Sequence, residues 1–258
     1  DWLSSRGLGD VYKRQHSSTV GVTNFLPSFK GTHLEKEIKA LEGVLNNPNK
    51  PVAAIIGGSK VSTKIDVINF LLKKMDIIII GGAMANTFVA AKGLDVGKSL
   101  FEKECIDLAK ELIEKSQNNN CNLILPTDFI VSKNLKKNAE YTTANFDSLP
   151  HNMMALDIGP KSIELINKNI NNCKTILWNG PLGAFETYPF DKGTNKVASH
   201  VSSLTKQKKI LSVAGGGDTV SALNNAKVLN DFSYVSTAGG AFLEWLEGKV
   251  LPGIEPIS

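Results

Sequence analysis

Cysteine is scarce in this chain, with only Cys105, Cys121 and Cys173 among 258 residues. The count is odd and no two form a CxxC pair, so neither a disulfide framework nor a zinc site is expected. A reducing cytoplasm is the simplest setting. The histidines are few and scattered: His16, His33, His151 and His200. The last three read as surface or structural groups. Long apolar runs are missing too. The most apolar stretch, MDIIII, stops at Gly81 and Gly82, and nothing approaches the roughly 18 residues of a membrane helix. The basic start, apolar middle and small-residue site of a secretory signal are absent. Charge of one sign is not in excess, since the net value is +4 and the cations are dispersed. Neither nucleic acid nor a membrane is an expected partner.

Two common nucleotide signatures are also missing. GxGxxG follows none of the strand patterns. GLDVGKS, residues 93–99, is one residue short of a P-loop between its glycines, and it follows a helix rather than a strand.

What the chain does have is alternation. PVAAIIGGSK leads to VSTKIDVINFLLKK, and MDIIIIGGAM leads to ANTFVAAKG. CNLILPTDF reads as a strand into a loop. MMALDIGPKSIELINKN reads as a strand, a turn and a helix with Pro160 in its first turn. KTILWNGPLGAFE, KKILSVAGGGDTVSALNNA and FSYVSTAGGAFLEWLEG complete the series. The strand patterns are short, apolar and not alternating, as expected when both faces of a sheet are covered. The fold class read from this is α/β: a Rossmann-like three-layer fold with a mainly parallel sheet and helices on both faces. Before the series, THLEKEIKALEGVLNN has helical spacing at Leu34, Ile38, Leu41 and Leu45, with Thr32 placed to cap and Glu35 three residues on. The opening DWLSSRGLGDVYKRQ has no sustained period and reads as adaptor-derived translation.

Glycine-rich turns follow five strand patterns: Gly57 and Gly58; Gly81 and Gly82; Gly180; Gly215, Gly216 and Gly217; Gly239 and Gly240. One such turn is ordinary tight packing. Five along one edge suggest close backbone approach to a phosphate at helix N-termini. Lys60 and Lys64 follow the first turn. If KVSTK opens a helix, their amines share a face and repel, unless an anion lies between them; two solvated surface lysines are the alternative. Asp218 and Thr219 stand where a helix should begin. They either cap it or serve a bound phosphate, the carboxylate through Mg2+. Glu186 could accept from ribose hydroxyls or simply be exposed.

AIIGGSKVSTKI, IIGGAMANTF, LPTDF, ALDIGP, ILWNGPLGAFE, VAGGGDTV and YVSTAGGAFLEWLEGKVLPGI resemble, in order and spacing, the C-terminal domain of the phosphoglycerate kinase family. HSSTVGVTNFLP resembles the close of that family's N-terminal domain, and the resemblance runs over residues 15–254. It implies two Rossmann-like lobes joined by a helix, a monomer, and Mg2+-dependent phosphoryl transfer between 1,3-bisphosphoglycerate and ADP, giving 3-phosphoglycerate and ATP. Residues 1–15 are read as a non-native leader for their lack of period, and the resemblance makes 16–31 a remnant of the substrate domain. Residues 32–48 become the interdomain helix, 49–245 the nucleotide domain and 246–258 a returning tail.

By the same resemblance, Lys60 meets the transferring phosphoryl group and Lys64 bridges the nucleotide phosphates. Asp218 holds the Mg2+-nucleotide, and Thr219 with the backbone of Gly215, Gly216 and Gly217 meets its phosphates. Asn179 approaches the phosphates, and Glu186 the ribose. Gly81, Gly82, Leu156 and Pro181 line the nucleoside pocket. Gly216 and Gly239 belong to the catalytic set, the latter by aiming a helix N-terminus at the transferred group. Both nucleophiles, a carboxylate and an ADP oxygen, are already anionic, so no general base is needed. Ala155 stands where the family often has glycine. The family's basic phosphoglycerate site has no counterpart here, except that Arg14 matches a substrate arginine by spacing. The chain is therefore expected to bind nucleotide and to turn over poorly alone, with an apolar patch exposed along residues 34–45. A free-standing nucleotide module is the alternative; an NAD-linked oxidoreductase is disfavoured by the missing fingerprint.

Overall fold

The computed structural model describes residues 17, 20–252, 254 and 255. Its centre is a six-stranded sheet of β1 (Val52–Ile56), β2 (Ile77–Ile80), β3 (Asn122–Ile124), β7 (Thr175–Asn179), β8 (Leu211–Ala214) and β9 (Tyr234–Val235). The strand order is β3-β2-β1-β7-β8-β9, and every neighbouring pair is parallel. The strands are short and rich in β-branched residues, which suit a pleated surface packed on both sides.

Alternate side chains on each strand enter different cores. Val52, Ala54 and Ile56 of β1 face one cluster, with Ile78, Ile80, Leu177 and Val213. That cluster is closed by α1 (Thr32–Leu45), α2 (Ile65–Leu71), α3 (Met84–Ala91), α4 (Ile106–Asn118) and α8 (Gly240–Leu246). Ala53, Ile55, Ile176 and Trp178 face the other, closed by α5 (Pro160–Ile170), α6 (Lys192–Lys206) and α7 (Gly217–Asn225). Three layers with helices on both faces are therefore present, as expected.

Several local expectations need correction. Residues 126–132 are not simply a loop after β3. Pro126 lacks the N–H that a parallel ladder needs, and the chain starts again as β4 (Asp128–Ser132) in a separate sheet, β5-β4-β6. Here β5 (Thr142–Asn145) and β6 (Met154–Ile158) both run antiparallel to β4. The MALDI strand thus belongs to this small sheet, not to the parallel one. Thr32 does not cap α1: Gly31 is the N-cap, in extended conformation, and Glu35 pairs with Lys39 at 2.7 Å. Residues 60–64 are not helical, since α2 starts at Ile65 with Lys64 as its N-cap. The two lysines therefore do not share a helical face.

The apolar patch expected on α1 is also absent. Ile38, Leu41, Val44 and Leu45 are buried against the sheet. Glu37 is buried with them, and its carboxylate accepts from the hydroxyls of Tyr234 and Ser236. Burial, then the adjoining Glu37, raises the Tyr234 phenol above its usual range. Three large exposed apolar side chains lie just upstream instead, at Phe25, Leu26 and Phe29.

Candidate functional site

The chain runs outward from β1 to β3 on one side, then returns to place β7 on the other side of β1. The sheet therefore changes direction between β1 and β7. Ligands of open parallel sheets bind outside the carboxyl ends of the strands at such a point. All five glycine turns follow strands of this sheet, and those after β1 and β7 touch. Gly57 N–H donates to Asn179 O at 3.0 Å. A Cβ on Gly180 would stand 2.2 Å from Gly57 O, and its φ of +105° is itself unfavourable for any other residue. Two loops can cross here only because neither carries a side chain.

Beside this crossing opens a cleft of about 380 Å3. Gly82, Leu156, Pro181, Glu186 and Asp218, all expected at the site, line it. Gly58 and Ala155, also singled out in the sequence, line it too, and further walls come from residues that sequence reasoning missed, among them Leu100, Leu135, Met154 and Phe185. Leu100 and Leu135 are 61% and 52% exposed, a large apolar surface left to water in a folded chain. Mostly apolar walls with carboxylates near the rim suit a ligand with a flat apolar part and a polar tail. Their legible signal was faint, because an apolar residue in a loop reads equally well as core.

Gly216, Gly217 and Gly239 line a second cleft, of about 640 Å3, with Tyr234 and Ser236. The start of α7 stands between the two: Asp218 faces the first and Gly217 the second. Gly216 is the N-cap of α7, and no side chain caps it. The capping alternative for Asp218 and Thr219 is thus not realised, and the first N–H groups of α7 carry no side-chain cap. Thr219 is buried, and its hydroxyl accepts from Gly180 N–H at 2.7 Å. It braces the glycine crossing and lines neither cleft.

Asn179 ties the lysine to this frame. Its Nδ2 donates to Gly215 O at 2.8 Å, while its Oδ1 accepts from Lys64 Nζ. Lys64 is half-buried, and burial brings its amine down to about 8 despite the nearby Asp218 and Glu247 carboxylates. Lys60 is exposed on the preceding turn. Gly81 packs on Leu182 and Gly215 on the Phe242 ring, so both serve packing. Beneath the 183–193 region, Asp157 is 2% exposed and accepts from the N–H of Gly193 at 2.6 Å and of Ile158 at 2.9 Å. Burial raises its carboxyl well above the usual range. Arg14 lies outside the described residues.

The three cysteines are free and buried. Among the described residues no helix is long and apolar enough to cross a membrane, and no cluster of three or more acidic, histidine or cysteine residues could hold a metal.

The family model of phosphoglycerate kinase matches residues 10–249. The chain belongs to the phosphoglycerate kinase family. Phosphoglycerate kinase of Brucella melitensis biotype 1 is 53% identical over 255 residues, and that of Rhizobium meliloti 49% identical over 255. Each match covers 96% of this chain and 64% of the relative. The structure of phosphoglycerate kinase from Coxiella burnetii is similar with a TM-score of 0.89 at 44% identity, over 93% of this chain and 61% of that one. Phosphoglycerate kinase from Pyrococcus horikoshii OT3 gives 0.77 at 27%, over 93% and 60%. The chain thus spans less than two thirds of the length of these phosphoglycerate kinases.

Proposed function

We propose that this chain is the nucleotide-binding portion of a phosphoglycerate kinase, which transfers a phosphoryl group between 1,3-bisphosphoglycerate and ADP to give 3-phosphoglycerate and ATP. The observation that carries this is the cleft at the sheet's change of direction, with Lys64 and the uncapped start of α7 beside its carboxylate rim. The apolar walls around Leu156, Pro181 and Leu100 take the base. Glu186 at the rim accepts from ribose hydroxyls. The phosphates then extend toward α7, where N–H groups and the helix dipole favour negative charge.

Lys64, oriented by Asn179, lies against those phosphates, and Lys60 on the exposed turn meets the group in transit. Gly216 and Gly239 leave the backbone open on the second cleft, on the side from which the phosphoglycerate approaches. Asp218 fits Mg2+ that arrives with the nucleotide. It is exposed at the cleft rim, and a magnesium nucleotide needs few protein ligands because phosphates and water supply the rest. When bound, the metal neutralises phosphate charge. The protein's part is position and positive potential, and no general base is required.

In this reading 49–245 is the nucleotide domain, 32–48 the helix that joins it to the substrate domain, 16–31 the end of that domain and 246–258 the returning tail. The phosphoglycerate kinase of which it is a portion acts as a monomer in the cytoplasm. Turnover needs the part of its relatives that has no counterpart in this sequence. Calorimetric titration with Mg-ADP tests the reading. Saturable binding that disappears in a Lys64→Ala, Asp218→Ala double variant is expected. A folded parent that binds no Mg-ADP would overturn it.

A further inference from the structure

Residues 60–64 carry both lysines of the proposed site, yet no helix holds them. Their turn is gripped from outside by one carboxylate. Glu102 Oε2 accepts from Ser62 N–H at 3.0 Å and Oε1 from the Ser62 hydroxyl at 2.5 Å. Within the turn, Lys64 N–H donates to Val61 O at 2.8 Å and the Thr63 hydroxyl to Lys60 O at 2.9 Å. Glu102 therefore holds Ser62, two residues after Lys60, through both its N–H and its hydroxyl by charge-assisted hydrogen bonds.

The other end of Glu102 is anchored in the wall of the cleft. Its own N–H donates to Thr87 Oγ1 at 3.0 Å. Two residues earlier, Leu100 O accepts from Asn86 Nδ2 at 3.0 Å. Asn86 and Thr87 are consecutive, buried residues of α3. Leu100 lines the cleft. One short segment thus presents Leu100 to the base pocket and, through Glu102, holds the turn that bears Lys60 and Lys64.

We infer that Glu102 is a positioning residue, which sets the lysine turn at a fixed distance from the nucleoside pocket so that the cations meet the phosphates of a seated nucleotide. The inference rests on the nucleotide reading above. It separates two halves of the ligand. Truncating the side chain leaves Leu100 in place, because Asn86 and Thr87 hold it by the backbone. The phosphate half should suffer and the nucleoside half should not.

The test compares Mg-ADP with adenosine, by titration against the parent, Glu102→Ala and Glu102→Gln. Glu102→Ala is expected to weaken Mg-ADP by roughly tenfold while leaving adenosine within about twofold. Glu102→Gln, which keeps one acceptor oxygen, should recover part of the loss. Equal losses for both ligands would mean that the carboxylate merely supports the fold, and unchanged Mg-ADP would mean that it positions nothing; either overturns the inference. If the parent binds neither ligand, the nucleotide reading itself falls. Hydrogen exchange at the Ser62 amide then decides: slow in the parent and fast in Glu102→Ala keeps the clamp, and equal rates remove it.

Discussion

Lys64 shows how a single residue can hold the functional argument. A lysine amine usually titrates far above neutrality, but burial brings this one to about 8. Asn179, Asp218 and Glu247 are the groups that face it, and the two carboxylates pull upward against burial. Below pH 8 the amine is charged and attracts phosphate. Above pH 8 the free protein loses that charge, and binding an anion must first restore it. Mg-ADP affinity should therefore fall as pH rises from about 7 to 9.5, approaching a tenfold loss per unit well above 8. Titration in two buffers of different ionisation enthalpy should show proton uptake over the same range. Lys64→Arg keeps its charge throughout and should bind with little pH dependence. A parent whose affinity stays flat across the range would show that Lys64 does not meet the phosphates. The sequence made Lys64 visible as a charge after a glycine turn. It could not show that Asn179, 115 residues away, would hold the amine, because such partners meet only after the sheet has formed.

At the scale of elements, α5 offers a test of how the small sheet is joined to the rest. Gly159, its N-cap, has no side chain to offer. The carboxylate of Asp128, on β4, takes the role: Lys161 N–H donates to Oδ2 at 3.0 Å, and Ser162 donates to Oδ1 through N–H and hydroxyl, each at 2.7 Å. A side chain at 159 would collide with this carboxylate, which explains the glycine before Pro160. Asp128 is fully buried. Asp128→Ala should cost about 2–3 kcal/mol in urea unfolding, because it leaves two backbone N–H groups of a helix start without this partner. A loss below about 0.5 kcal/mol would show that α5 does not depend on it. Much of the element pattern was legible. The parallel strands and their glycine turns are punctuated by composition, and both faces of β1 are apolar because both are covered. The small sheet was not legible. The residues of β5, TTAN, are mostly exposed and carry no apolar alternation, so only pairing with β4 makes them a strand. The non-helical turn before α2 was not legible for a related reason: Ser62 in it is held by Glu102, which lies 40 residues further on.

At the scale of the molecule, the described residues bury two cores, one on each face of the sheet, and α1 closes one of them with Glu37 fastened to Tyr234 and Ser236. Its apolar surface is therefore concentrated elsewhere. Phe25 and Phe29 are each 86% exposed and Leu26 60%, in one short segment before α1. Scattered apolar residues are normal on a surface, but three large ones within five positions form a patch that attracts other apolar surface. The protein should bind an apolar fluorescent dye and associate as its concentration rises. A Phe25→Ser, Phe29→Ser double variant should lower both signals. Its Mg-ADP affinity should remain within about twofold of the parent, since no residue of this segment lines either cleft. Sedimentation at several concentrations, read beside the dye titration, separates the outcomes. If the parent is a single species without dye binding, the segment is covered in solution. If the double variant still associates, the contact lies at another surface, and Val250, 68% exposed beyond α8, is the next side chain to replace.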